Sequence, residues 1–251
     1  MSEWEIFLKS VEKATKEINE PFFRGHSDTG WTLVPSLGRY KFHKWFENNV
    51  YYDFLTYGAS WLPQGVDSWD TLFIMRHHGL PTRLLDWTQS FSTALYFAIR
   101  GCTGDAALWI LDPYTLNKST FDNEAIMHPQ SDFDHEYYDY FIGEPRKKFP
   151  ARALAILPNK ATDRVLAQRG VFTIQKHREE DLNAVCKRAL KKLILPSAAV
   201  QEARNFLKLA RTNEFNLFPG LDGLASWLRQ EHEVDSAKRR KPRKGRRRVA
   251  R

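Results

Sequence analysis

The chain has 251 residues, of which 42% are hydrophobic, 14% aromatic and 27% charged, a composition that excludes a disordered chain and suits one large domain or two small ones. No run of about 18 apolar residues is present, which argues against a transmembrane helix, and the two cysteines, Cys102 and Cys186, exclude a disulfide framework or a Cys-rich zinc site. The formal net charge of +8 is uneven: Lys238 to Arg251 holds ten Lys/Arg and no acid, leaving 28 basic against 30 acidic residues elsewhere.

The first segment carries Trp4, Phe7, Leu8, Val11, Ala14 and Ile18 at the spacing of an amphipathic helix, and it lacks the apolar stretch of a signal peptide. A reducing cytoplasm is the expected setting. Pro21 ends the helix, and Phe22-Phe23 open a short strand leading into Arg24-Gly25-His26. Trp31 to Leu37 reads as extended chain interrupted by Pro35, and 41–57 and 67–78 read as helices, the second burying Trp69, Leu72, Phe73 and Met75. After a turn at Gly79 to Pro81 comes Leu84-Leu85-Asp86-Trp87, with Ser90 as the N-cap of a helix through Ala98. Ala106 to Leu111 is an unbroken apolar run and reads as a buried strand.

The acidic, Tyr-rich stretch at 114–149 has no clear period. Strands are expected at 152–157 and 171–175 around a short helix at 161–168, while 184–195 fits helix or strand. Pro196-Ser197 starts a helix through Leu209, and Gly223 to Glu231 forms a last one. The expected fold is α+β, a single mixed domain with a central, partly antiparallel sheet flanked by helices. Its expected divisions are an N-terminal helix at 1–20, a domain at 21–235 and a disordered basic tail at 236–251. Like charges in the tail cannot fold on themselves, and such arms bind nucleic acid through its phosphates.

Four stretches combine charge with sharp turn chemistry. In Phe23-Arg24-Gly25-His26-Ser27 the arginine at a strand end can hold a phosphate, and the glycine lets a ligand approach; an Arg–carboxylate pair closing a turn is the plain alternative. In Arg76-His77-His78-Gly79-Leu80-Pro81-Thr82-Arg83-Leu84-Leu85-Asp86-Trp87-Thr88, Arg83 is expected to pair with Asp86, with a histidine available for proton transfer. Adjacent histidines diverge, so His77-His78 is a poor metal site and no metal is expected. In the third, Arg164 to Thr173, Gly170 reads as a helix C-cap before a strand, and the Gln168 amide can satisfy a buried group or read a ligand. In the fourth, Thr212 to Leu224, Asp222 reads as a helix N-terminal carboxylate, whereas nothing local accounts for Glu214. Phosphate-binding P-loops, GxGxxG, GxSxG and kinase motifs are absent, and Cys102 has no evident histidine partner.

At these four stretches the sequence resembles the FRG-domain family, named after a Phe-Arg-Gly motif that stands here at Phe23 to Gly25. FFRGHSDTGWTLVPSLGR, HHGLPTRLLDWTQSFSTALYFA, LAQRGVFTI and NEFNLFPGLDGLA carry the likeness over about 20–228. Arg76 stands where the family usually has glutamine, and Gly220 where it usually has aspartate. The resemblance implies a bacterial or phage setting near conflict and anti-phage genes, with an antitoxin or other defence protein as partner. A more distant resemblance links the order of motifs to ADP-ribosyltransferases: an aromatic-Arg-Gly strand, a hydroxyl-bearing strand feeding a helix, and a late glutamate.

That resemblance implies NAD as substrate. Arg24 would hold the pyrophosphate and Tyr96 or Trp87 would stack on a ring. Glu214, with Asp86 in reserve, would stabilise the ribose charge, and His26 or His78 would assist the nucleophile. Gly25, His26, Arg83, Thr88 and Ser90 complete the implied NAD-contacting set. The competing expectations are a non-catalytic nucleic-acid-binding or phage-sensing module, and a metal-dependent nuclease built on Asp86 and His78.

Overall fold

The structure, a computed structural model, describes residues 1–158 and 162–232; the basic tail at 238–251 lies outside the described residues. In chain order the elements begin with α1 (Glu3–Thr15), β1 (Phe22–His26), α2 (Ser36–Arg39), α3 (Phe46–Gly58), α4 (Ser68–His77), β2 (Leu84–Thr88), α5 (Phe91–Ile99) and β3 (Ala106–Leu111). They continue with α6 (Pro113–Phe121), α7 (Pro129–Asp132), α8 (Tyr137–Phe141), β4 (Ala153–Ile156), α9 (Asp163–Ala167), β5 (Gly170–Gln175), α10 (Leu182–Val185) and β6 (Leu190–Leu195). The described chain closes with α11 (Val200–Leu209), α12 (Glu214–Leu217) and α13 (Leu221–Glu231).

Local chemistry accounts for several of these. Ser2 and Glu5 form a reciprocal capping box that starts α1, and Trp4, Phe7, Val11 and Ala14 are its buried stripe. The Ser90 hydroxyl accepts from the Thr93 N–H to cap α5 as expected. Three expectations shift. Ser36 and Leu37 turn into α2 after Pro35 rather than continuing extended. The segment at 184–195 is both helix and strand, with β6 beginning at Leu190. At the end of α9 it is Arg169, not Gly170, that takes the left-handed conformation (φ 47°), and Gly170 already belongs to β5.

The six strands form one sheet in the order β4-β5-β2-β1-β3-β6, and every neighbouring pair is antiparallel. The sheet is therefore antiparallel throughout rather than in part. One face carries Phe22, Leu85, Trp87, Trp109, Leu111 and Val171, covered by Leu116 of α6 and Leu182 of α10. The other face divides. Over β1, β3 and β6 a core forms from α1, α5 and α11, whereas over β2, β5 and β4 a second core forms from α3, α4 and α8.

The division coincides with a weakness in the ladder. β2 runs beside β5 through five residue pairs and β1 beside β3 through five, but β1 and β2 meet at a single pair, Phe23↔Thr88. Beyond that pair the strands part, so backbone groups of Asp86 and Gly25 that a continuous sheet would use face each other across a gap. The functional motifs cluster along this gap.

Candidate functional site

A cavity of about 410 Å³ opens where β1 and β2 part, a volume within the range of small-ligand sites. Its walls come from β1 (Phe23 to His26), α4 (Arg76, His77), β2 (Asp86 to Thr88), α5 (Thr93, Ala94, Phe97) and the α9–β5 corner (Arg164, Gln168, Phe172).

Arg24 spans the gap. Its Nη1 donates to the Asp86 carbonyl at 2.5 Å, its Nε donates to His26 Nε2 at 2.9 Å, and Nη1 lies 3.8 Å from Asp86 Oδ2. The guanidinium thus takes up a carbonyl that the parting strands leave without a ladder partner. Burial lowers its pKa to about 10; Asp86 opposes the shift, and Arg39 and Arg76 add to it. Because Arg24 donates to His26 Nε2, the neutral imidazole carries its proton on Nδ1. Burial, followed by the charges of Arg24 and Arg39, pushes the His26 pKa down to about 3.

The carboxylate belongs to Arg76. Arg76 Nε donates to Asp86 Oδ1 at 2.9 Å, its Nη2 donates to Asp86 Oδ2, and its Nη1 donates to Ser36 Oγ at 3.0 Å. Burial alone would raise the Asp86 pKa, but Arg76 and then Arg24 outweigh it and hold the carboxyl below its ordinary range. The Asp86 side chain still keeps 40% of its surface accessible, because one side faces the cavity.

The expected Arg83–Asp86 pair does not form. Arg83 makes a fork to Glu47, with Nε–Oε1 and Nη2–Oε2 both 2.7 Å, donates to the Lys176 carbonyl and lies over the Phe141 ring. It does not line the cavity: Arg83 precedes β2, and its fork draws it to α3 and α8, away from the gap beside Asp86. Gly25 lines the cavity, yet what presses on it is α5: a Cβ there would sit 2.0 Å from the Ala94 carbonyl oxygen. Thr88 Oγ1 donates to the Gln168 carbonyl and accepts from the Ser90 N–H, tying β2 to the α9–β5 corner.

The remaining candidates separate. His78 caps α4 outside the lining, while His77 lines the cavity and its Nδ1 lies 3.0 Å from Thr162 Oγ1. Ser90 spends its hydroxyl on the α5 cap. Glu214 and Tyr96 line a neighbouring cavity of about 470 Å³, where Tyr96 Oη donates to Glu214 and Arg100 Nη2 lies 2.8 Å from it. Arg24 and Asp86 are therefore brought together and Glu214 is not, although Arg100 borders both cavities. Arg100 belongs to no motif; only the Tyr96–Arg100 spacing of one helical turn hints at it.

The environment of His26 has a measurable consequence. A neutral native imidazole and a titrating unfolded one mean that the unfolded chain binds more protons, so stability is full above the unfolded pKa and falls as pH drops from about 6.5 towards 3. Between pH 7.5 and 4.5 the wild type should lose about 2–3 kcal/mol through this group. Denaturant midpoints measured across that range should fall less in His26→Gln.

The model of the FRG domain matches residues 19–105. The chain carries an FRG domain. The FRG-domain match covers β1, α2, α3, α4, β2 and α5, hence Arg24, Arg76 and Asp86, while the α9–β5 corner and Glu214 come from chain beyond it. No curated protein and no solved structure matches the chain. No helix among the described residues is long and apolar enough to cross a membrane.

Proposed function

We propose that the cavity at the parting of β1 and β2 binds a phosphate-bearing nucleotide, that NAD is the ligand it takes, and that the chemistry is ADP-ribosyl transfer. The observation that carries this reading is the charge of the lining: Arg24, Arg76, Arg100 and Arg164 surround a single carboxylate, Asp86. Burial lowers the pKa of Arg164 as it does that of Arg24, so both cations lack full compensation and a phosphate would supply it. Phe73 and Phe97 line the same cavity with apolar rings, which suits a base or a nicotinamide ring, whereas the Trp87 ring is buried in the core under α6 and α10 with its indole N–H donating to Thr173 Oγ1.

On this reading a diphosphate competes with Asp86 for Arg24 and Arg76. The carboxylate so released is the one acid in the lining, and it rather than Glu214 would then face the ribose. The C1′–N bond breaks with its electron pair leaving on nicotinamide. An acceptor nucleophile then bonds to C1′ and gives its proton to Asp86 or to water. A role as a toxin or anti-phage effector, acting on protein or nucleic acid, follows from the family resemblance.

A second reading, a nucleotide-sensing module without catalysis, draws support from the fork that Arg76 makes to Asp86, which leaves that carboxylate a weak base. The nuclease alternative finds no support: among the described residues no group of three His, Cys, Asp or Glu side chains is placed to hold a metal.

Calorimetric titration with NAD, ADP-ribose and AMP, with chromatography for free nicotinamide, tests both readings. Binding should weaken by about 10- to 100-fold in Arg24→Ala, as expected for loss of charged hydrogen bonds. NAD binding with nicotinamide release supports the transferase, and binding without release supports the sensor. If none of the three nucleotides binds, the site is not a nucleotide site.

A further inference from the structure

The second cavity has its own chemistry. It lies between α11 and α13 beside the end of α5; α11 presents Arg204 and Lys208 to it at one-turn spacing, and Arg211 follows just past the helix end. All three are exposed, and among the described residues none of them is held in an ion pair. Of the two acids in the lining, Glu214 is neutralised by Arg100 and Glu231 stands on the rim helix. Trp227 of α13 lines the same groove, its ring stacked on Phe215 at 5.8 Å and 26°. Regularly spaced cations beside an aromatic face match a phosphodiester backbone with an unstacked base.

The sequence beyond α13 points the same way. Only five residues separate His232 from Lys238, and the fourteen positions from Lys238 on carry ten Lys/Arg.

We propose that the groove between α11 and α13 seats single-stranded nucleic acid, with phosphates on Arg204, Lys208 and Arg211 and a base against Trp227. A cleft of about 470 Å³ admits a few nucleotides and no duplex. The basic arm supplies sequence-independent attraction, and the groove supplies a fixed seat beside Arg100, which also borders the first cavity. This assignment does not depend on the nucleotide reading of that first cavity.

Fluorescence polarisation of a labelled single-stranded 20-mer, read from 50 to 300 mM salt, tests it on the full chain. Replacing Arg204, Lys208 and Arg211 together by Gln, with the arm intact, should weaken binding about tenfold or more and flatten the log–log salt slope by about 2, as three lost phosphate contacts require. The comparison variant removes three exposed charges from α1 and the residue after it, Lys9→Gln, Lys13→Gln and Lys16→Gln, and should bind nearly as the parent does. An unchanged slope in the α11 variant assigns all binding to the arm and overturns the seat. Equal losses in the two variants show an effect of net charge alone and overturn it as well. The substituted side chains are exposed, and coincident thermal melts of the variants confirm that the fold is kept.

Discussion

Gly25→Ala should cost the protein at least about 3 kcal/mol of stability, at the upper end of what overpacking usually costs. The added methyl would lie 2.0 Å from the Ala94 carbonyl oxygen and 2.4 Å from the Ala98 amide nitrogen. Both are helix backbone atoms, so no side-chain rotamer can relieve the contact. α5 would have to lift from β1, and its Ala94, Leu95 and Ala98 form the centre of the core shared with α1 and α11. For a chain of this size that loss corresponds to a drop in Tm of about 6–12 °C or more. A thermal melt within about 2 °C of the wild type would show that the close packing of α5 on β1 is not what requires glycine. The same variant separates two roles for the residue, since a glycine needed only for ligand approach would lower affinity and leave the melt unchanged.

Glu47→Ala should be comparably damaging, by about 3–5 kcal/mol, because it leaves the Arg83 charge buried with its fork empty. Glu47 also accepts a hydrogen bond from Tyr137 Oη at 2.5 Å, so one carboxylate joins α3, the entry to β2 and α8. Replacing both charged partners by Met should cost distinctly less than the sum of the single changes, since neither charge is then stranded. Equilibrium denaturation of the two single variants and the double variant measures that coupling. Nucleotide affinity in folded Glu47→Ala should stay near the parent value, because Arg83 lies outside the cavity. Strict additivity of the two changes would mean that the fork contributes little.

Much of the scaffold is legible in the chain itself. The apolar stripe of α1, the unbroken run of β3 and the Ser90 cap of α5 are local signals; β3 and α5 stand where those signals place them, whereas α1 ends at Thr15, short of the expected Ile18 and Pro21. The stretch at 114–149 was illegible because α7 and α8 are short and held by tertiary contacts, such as Glu136 accepting from the Ser68 N–H at 2.9 Å. The left-handed residue after α9 was misplaced by one position, since glycine permits that conformation without requiring it there.

At the site, the residue types were readable and their pairing was not. Sequence proximity links Arg83 to Asp86, but Glu47 of α3 takes the Arg83 guanidinium, and the partner of Asp86 is Arg76, ten residues away on α4. Glu214 lacked a local partner in the sequence because its partners, Tyr96 and Arg100, lie 118 and 114 residues away.

The sequence by itself determined the α+β class, the FRG motif and the concentration of excess positive charge in the last fourteen residues, because composition, periodicity and short motifs are local properties. Only the tertiary structure decided where β1 and β2 part, that Arg24 and Asp86 share a cavity, and that Glu214 lies next door. A gap in a sheet is set by which strands pair and for how long, and antiparallel pairing joins residues whose separation along the chain no local pattern records.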